Sequence, residues 1–180
     1  MEVIETEIKG LLIIKPRVFA DARGYFFESY NEGVFKKHGI DLHFMQDNQS
    51  LSSTGVLRGL HFQAPPFEQG KLVRVITGAV LDVAVDIRKN SPTYGKHVAL
   101  ELNEENKTMF FIPPGFAHGF LTLRDNTIFS YKCTNLYNKE SEGTVLWNDE
   151  ELGINWNYEH PVLSEKDVAG TPFKNFVSPF

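Results

Sequence analysis

The chain has 180 residues, 42% of them hydrophobic and 23% charged, with a formal net charge of −5. That is enough chain for one domain, residues 1–180, with a substantial core, and the mild acidity disfavours a general binder of nucleic acid or of anionic membrane surfaces. One cysteine, Cys133, excludes an internal disulfide and a cysteine-rich zinc site. No apolar run approaches the ~18 residues of a membrane helix, and without a signal-peptide pattern a cytoplasmic location is expected.

In chain order, Leu11 to Lys15 reads as a first strand stopped by Pro16, and Val18 to Gly24 as a loop with turn chemistry at Asp21 and Gly24. Tyr25 to Tyr30 reads as a second strand. Asn31 is placed to cap a short helix over Glu32 to His38 that ends at Gly39. Phe44 to Ser53 is polar and strand-like. Leu72 to Ile76 and Val80 to Ile87, separated by Thr77-Gly78-Ala79, predict a hairpin. Further strands are expected at Val98 to Leu102, Thr108 to Ile112, Gly119 to Leu123, Ile128 to Thr134 and Val145 to Trp147. From about Asn148 the chain is irregular, with Pro161, Pro172 and Pro179, and reads as a tail packed over the rest. Short β segments spaced by turns, with 15 Phe to fill an interior, point to an all-β fold: an antiparallel jelly-roll barrel with a few short helices.

Arg58-Gly59-Leu60-His61-Phe62-Gln63 concentrates chemistry. Alternation puts His61 and Gln63 on one strand face and Leu60 and Phe62 on the other. A strict period of two sends Arg58 to the opposite face from His61, unless Gly59 marks a bulge that returns it. The pattern fits a pocket wall or an ordinary edge strand with a polar side. Two spacings bear on that choice: Gly55-x5-His61-x-Gln63 and Pro113-x-Gly115-x2-His118. Together they resemble the two motifs of the cupin superfamily, whose metal-binding members carry a second His where Gln63 stands and a Glu near the place of Lys71 or Glu68. A protonated lysine cannot ligate and repels a divalent cation, so no metal is expected. His61, His118, Lys71, Arg58 and Arg74 facing one interior would suit an anion or oxyanion. Along Phe129 to Tyr137, alternation sets Tyr131, Cys133 and Asn135 on one face. Leu163-Ser164-Glu165-Lys166-Asp167 reads as a surface turn or helix start with its charges in water.

At these residues the chain resembles the dTDP-4-dehydrorhamnose 3,5-epimerase family over nearly its whole length. The resemblance runs from Asp21-x-Arg23-Gly24-x-Phe26-x-Glu28 and Gln46-Asp47-Asn48-x-Ser50 through Leu57 to Gln63 and Lys71 to Val75. It continues through Asp82 to Arg88, Ser91 to Gly95 and Ile112 to Phe120, and ends with Tyr131, Trp147 to Asp149 and Leu163-Ser164-x-Lys166-Asp167. It implies that dTDP-4-keto-6-deoxyglucose is epimerised at C3 and C5, with His61 as base, Tyr131 as acid, Asp167 orienting His61, and Lys71 beside the carbonyl that becomes an enolate. It also implies substrate contacts from Arg23, Glu28, Gln46, Asn48, Arg58, His118, Glu142 and Lys166, with Tyr137 against the thymine, placed near the sugar or simply packed. A homodimer exchanging a strand near the N-terminus is implied, and no cofactor is. Relatives that invert C3 only, 3,4-ketoisomerases, and a non-catalytic sugar-nucleotide-binding cupin are the alternatives. The chemistry is coherent: a C–H beside a ketone is acidic once its enolate is stabilised, an oriented imidazole is a suitable base near neutrality, and inversion requires an acid on the opposite face.

Overall fold

The computed structural model describes residues 1–180. Its strands are β1 (Glu2–Glu5), β2 (Leu12–Lys15), β3 (Phe19–Asp21), β4 (Gly24–Phe26), β5 (Gln46–Ser52), β6 (Leu57–Gln63) and β7 (Lys71–Thr77). They continue with β8 (Ala79–Asp86), β9 (His97–Asn103), β10 (Met109–Ile112), β11 (Phe116–Thr122), β12 (Thr127–Cys133) and β13 (Glu142–Thr144). Two short helices, α1 (Glu32–Lys37) and α2 (Glu165–Val168), complete the frame. A six-stranded sheet in the order β1-β2-β10-β7-β12-β5 faces a five-stranded sheet in the order β13-β6-β11-β8-β9, and all of their strand pairings are antiparallel. This is the jelly-roll sandwich that the strand spacing predicts.

Three apolar layers explain the residue pattern. Val73, Val75, Val80, Ala84, Phe110, Phe116, Phe120 and Phe129 fill the space between the sheets. Behind the five-stranded sheet, Leu57, Leu60, Val83, Val85, Ala117 and Leu121 meet Leu152 and Trp156 of the tail, with Phe173, Phe176 and Phe180 alongside. Behind the six-stranded sheet, Ile14, Leu72, Met109 and Phe111 are covered by Phe35 of α1 and by Ile40. β8 is therefore buried on both faces, which is why its sequence runs apolar instead of alternating. Each fully buried Phe, such as Phe110 and Phe129 between the sheets, contributes roughly 1.5–3 kcal/mol of burial free energy, and the half-buried rings of the tail contribute less.

Several elements differ from expectation. The runs around Gly78 do not form a hairpin: β7 lies in the six-stranded sheet and β8 in the five-stranded one, so the turn carries the chain around the corner of the sandwich. Gly78 has φ +84°, and a Cβ there would collide with Thr127, which makes this a tight packed corner and not a solvent turn. Strand alternation alone cannot distinguish the two. The Val18–Gly24 stretch is a small hairpin, β3 with β4, and the strand expected over Tyr25 to Tyr30 stops at Phe26. β1 was not foreseen. The strand expected at Val145 lies earlier, at Glu142–Thr144, and Val145 itself makes an isolated bridge to Thr171 in the tail.

Candidate active site

β6 and β11 build the centre of the site. His118 pairs with His61, but the next pair is Phe120 with Arg58, so three steps along β6 match two along β11. This is the bulge that Gly59 allows. Gly59 has φ +145°, and a Cβ there would stand 2.5 Å from the Gly119 Cα. The close approach of two glycine backbones turns Arg58 and His61 to the same side. Both line a cleft of about 310 Å³ with Ser50, Lys71, His118, Phe120, Tyr131, Ser164, Lys166 and Asp167. Arg58, His61, Lys71, His118, Tyr131, Lys166 and Asp167, expected from sequence to form the site, thus come together, whereas Arg74, expected to face the same interior, alternates to the outer face of β7 and lines a separate cleft with Ser29 and Asp47.

His61 and Asp167 meet across 106 residues, with Nε2 to Oδ1 at 2.6 Å. Asp167 is only 2% exposed, which the sequence reading of α2 as a charged surface turn did not anticipate. Its carboxylate is fixed from three sides. The Gly59 N–H donates to Oδ1 at 3.2 Å, and the Ser164 hydroxyl and N–H donate to Oδ2 at 2.6 and 3.3 Å. Ser164 and Asp167 form a capping box, so the device that starts α2 also aims the carboxylate. Burial alone would raise the Asp167 pKa, but the hydrogen bonds from His61 and Ser164 outweigh it and hold the acid at about 2. Burial lowers the His61 pKa below its ordinary value; the Asp167 hydrogen bond opposes this and the Lys166 and Lys71 charges reinforce it. His61 is thereby a neutral imidazole donating through Nε2 to a carboxylate, with Nδ1 carrying the free lone pair.

Tyr131 stands across the cleft on β12. Burial pushes its hydroxyl pKa above the ordinary phenol value, and Cys133 adds to the rise, so near neutrality it is a proton donor. The Lys71 ammonium forms no salt bridge or hydrogen bond within the protein, and burial lowers its pKa, opposed first by Cys133 and then by Asp82. Arg58 reaches only the Ser52 hydroxyl, at 3.3 and 3.4 Å, and has no acidic partner. Cations without acidic partners beside a neutral imidazole and a protonated phenol can bind an anion and stabilise an enolate.

At the rim, Lys166 pairs with Glu142, whose other oxygen accepts the Tyr137 hydroxyl at 3.3 Å. Gln46 donates to Asn48 at 2.9 Å and accepts the Tyr137 N–H at 2.9 Å. Of these residues Lys166 lines the cleft, and Glu142 and Tyr137 connect to it through Lys166. Arg23 and Glu28 do neither: Arg23 pairs with Asp21 in the exposed β3–β4 hairpin, and Glu28 accepts from Asn31. Gln63, where metal-binding cupins place a histidine, staples two loops. Its amide donates to the Phe67 and Leu136 carbonyls, and its oxygen accepts the Asn138 N–H. No group of three or more His, Cys, Asp or Glu side chains is arranged to hold a metal ion. Sequence reasoning gave no role to Ser50, Asp82 or Ser164. The Ser164-x-x-Asp167 spacing carries a legible capping signal; Asp82 opens a stretch of the family resemblance, but its pattern gives it no role.

Fold and site together define a cupin-type isomerase built around acid–base groups. The profile of the dTDP-4-dehydrorhamnose 3,5-epimerase family matches residues 5–175, and the chain belongs to that family. It is 52% identical over 174 residues to the dTDP-4-dehydrorhamnose 3,5-epimerase of Shigella flexneri, covering 96% of each chain. The crystal structure of the Elizabethkingia anophelis enzyme of that name superposes with a TM-score of 0.93 at 51% identity, covering 98% of this chain and 99% of that one. A Legionella pneumophila 3,5-epimerase, solved in complex with dTDP-4-keto-L-rhamnose, matches with a TM-score of 0.93 at 47% identity, over 96% of this chain and 93% of that one.

Proposed function

We propose that this chain inverts C3 and C5 of dTDP-4-dehydro-6-deoxy-D-glucose, giving dTDP-4-dehydro-L-rhamnose for dTDP-L-rhamnose synthesis. The observation that carries the reading is the 2.6 Å contact between His61 and Asp167 in the cleft that Tyr131 also lines. His61 Nδ1 takes the proton from the carbon next to the 4-keto group. The C–H electron pair moves into an enolate whose oxygen faces Lys71. Tyr131 returns a proton to that carbon from the opposite face and recovers one from solvent, while His61 releases its own. Asp167 holds the imidazole in the useful tautomer, as an orienting carboxylate does. Arg58 and His118 meet the substrate's polar groups, Arg58 suiting the diphosphate. Gln46, Asn48, Tyr137, Glu142 and Lys166 contact the nucleotide and sugar from the rim. The ligand of the Legionella relative supports the substrate class.

Residues 1–180 act as one domain, and the working form is a homodimer. In support, the β3–β4 hairpin leaves Phe19, Tyr25 and Phe26 more than half exposed and carries Arg23 away from its own cleft, with Glu28 just beyond it. A second copy receiving the hairpin would bury those rings and bring Arg23 and Glu28 to its site; a monomer in light scattering would remove this reading. No helix is long and apolar enough to cross a membrane, and a water-soluble nucleotide sugar suits a cytoplasmic enzyme. The activity is tested by incubating the protein with dTDP-4-keto-6-deoxyglucose in deuterated water. Deuterium is expected at both C3 and C5. Label at C3 alone would make it a 3-epimerase, and no label would sink the epimerase reading.

A further inference from the structure

A second imidazole–carboxylate pair lies one strand from the first. Asp82 of β8 is fully buried, and both of its oxygens lie 3.0 Å from His118 Nε2. The carboxylate makes no other hydrogen bond. An ionised carboxylate only accepts, so the ring proton belongs on Nε2 and the Nδ1 lone pair is left without a partner in the protein. His118 is 6% exposed, and its ring stacks on Phe129 with centroids 6.3 Å apart, which limits rotation. What remains accessible of the ring lies in the cleft beside Lys71 and opposite its register partner His61. Asp82 itself does not line that cleft.

We infer that Asp82 is a positioning residue for the reaction: it locks His118 as the Nε2–H tautomer, so that Nδ1 accepts a hydrogen bond from a sugar hydroxyl and holds the ring with its C–H over His61. This rests on the epimerase reading of the site. Asp82 touches no reacting atom and works through His118. Its negative charge also opposes, after Cys133, the effect of burial on the Lys71 ammonium.

The test pairs a spectroscopic readout with kinetics. Long-range proton–nitrogen NMR on histidine-labelled protein should show His118 protonated at Nε2 and not at Nδ1. Asp82→Asn keeps the shape but can turn its amide N–H toward the ring, so the variant should show the other tautomer. Its kcat should fall on the order of 10- to 100-fold, the scale seen when the partner orienting a metal-ligating histidine is removed, with KM changing less than about threefold. An Nδ1–H tautomer in the wild-type protein would overturn the inference, and so would Asp82→Asn with kcat within about twofold of wild type. The wild-type spectrum decides the matter should Asp82→Asn not fold. Absence of C3 and C5 exchange in the wild-type enzyme would instead defeat the epimerase reading and leave the tautomer result standing.

Discussion

The His61–Asp167 and His118–Asp82 pairs use the same two residue types on neighbouring strands, yet their surroundings differ. His61 keeps 27% of its side chain exposed and its carboxylate arrives from the tail, 106 residues away. The His118 side chain is 7% exposed, and its carboxylate comes from the adjacent strand, 36 residues away. Asp167 is shared among His61, Ser164 and the Gly59 N–H; Asp82 serves His118 alone. A base must reach its substrate and exchange its proton with water, which suits the more open pair. A buried ring held by one carboxylate is better suited to holding a substrate still. On the proposed reading, what separates a base from a locator is access and the number of donors around the acid, not residue identity.

Removing the orienting acid should damage the open pair most. Asp167→Asn is expected to lower kcat by about 100-fold or more, because the amide admits the wrong His61 tautomer, while dTDP affinity measured by calorimetry stays near wild type. A loss no larger than that of Asp82→Asn would erase the distinction between the pairs. The pH profile sharpens it further. Burial lowers the His61 pKa, so its neutral form is complete above that lowered value and is lost as pH falls through it; the acidic limb of kcat/KM should lie below the ordinary histidine pKa of about 6.5. The Tyr131 pKa is raised, so its acid form persists and the alkaline limb should lie above about 10. Asp167 holds the His61 pKa up against burial, so Asp167→Asn should move the acidic limb to lower pH while the plateau falls. A limb that stays in place would mean that another group sets it.

Much of this was legible before the structure, and the failures share one cause. The Gly59 bulge could be read because Arg58 and His61 violate a two-residue period within one strand, a local signal. The corner at Gly78 was misread as a hairpin because sheet membership is settled by which face of each strand packs on the other layer. Asp167 looked solvated because the backbone N–H of Gly59 and the ring that bury it lie more than a hundred residues away. Arg23 and Glu28 match the family pattern yet lie outside the cleft of their own chain, so sequence marked their importance without giving their place.

The central claim is that His61 and Tyr131 act from opposite faces of the sugar, one taking the proton and the other returning it. Incubating Tyr131→Phe with dTDP-4-keto-6-deoxyglucose in deuterated water tests it most directly. With the base intact and the opposing acid gone, His61 can return only a solvent-exchanged deuteron to the face it deprotonates. The account predicts deuterium in recovered substrate of unchanged configuration, with little epimerised product. Epimerised product at the wild-type rate, or recovered substrate free of label, would contradict it.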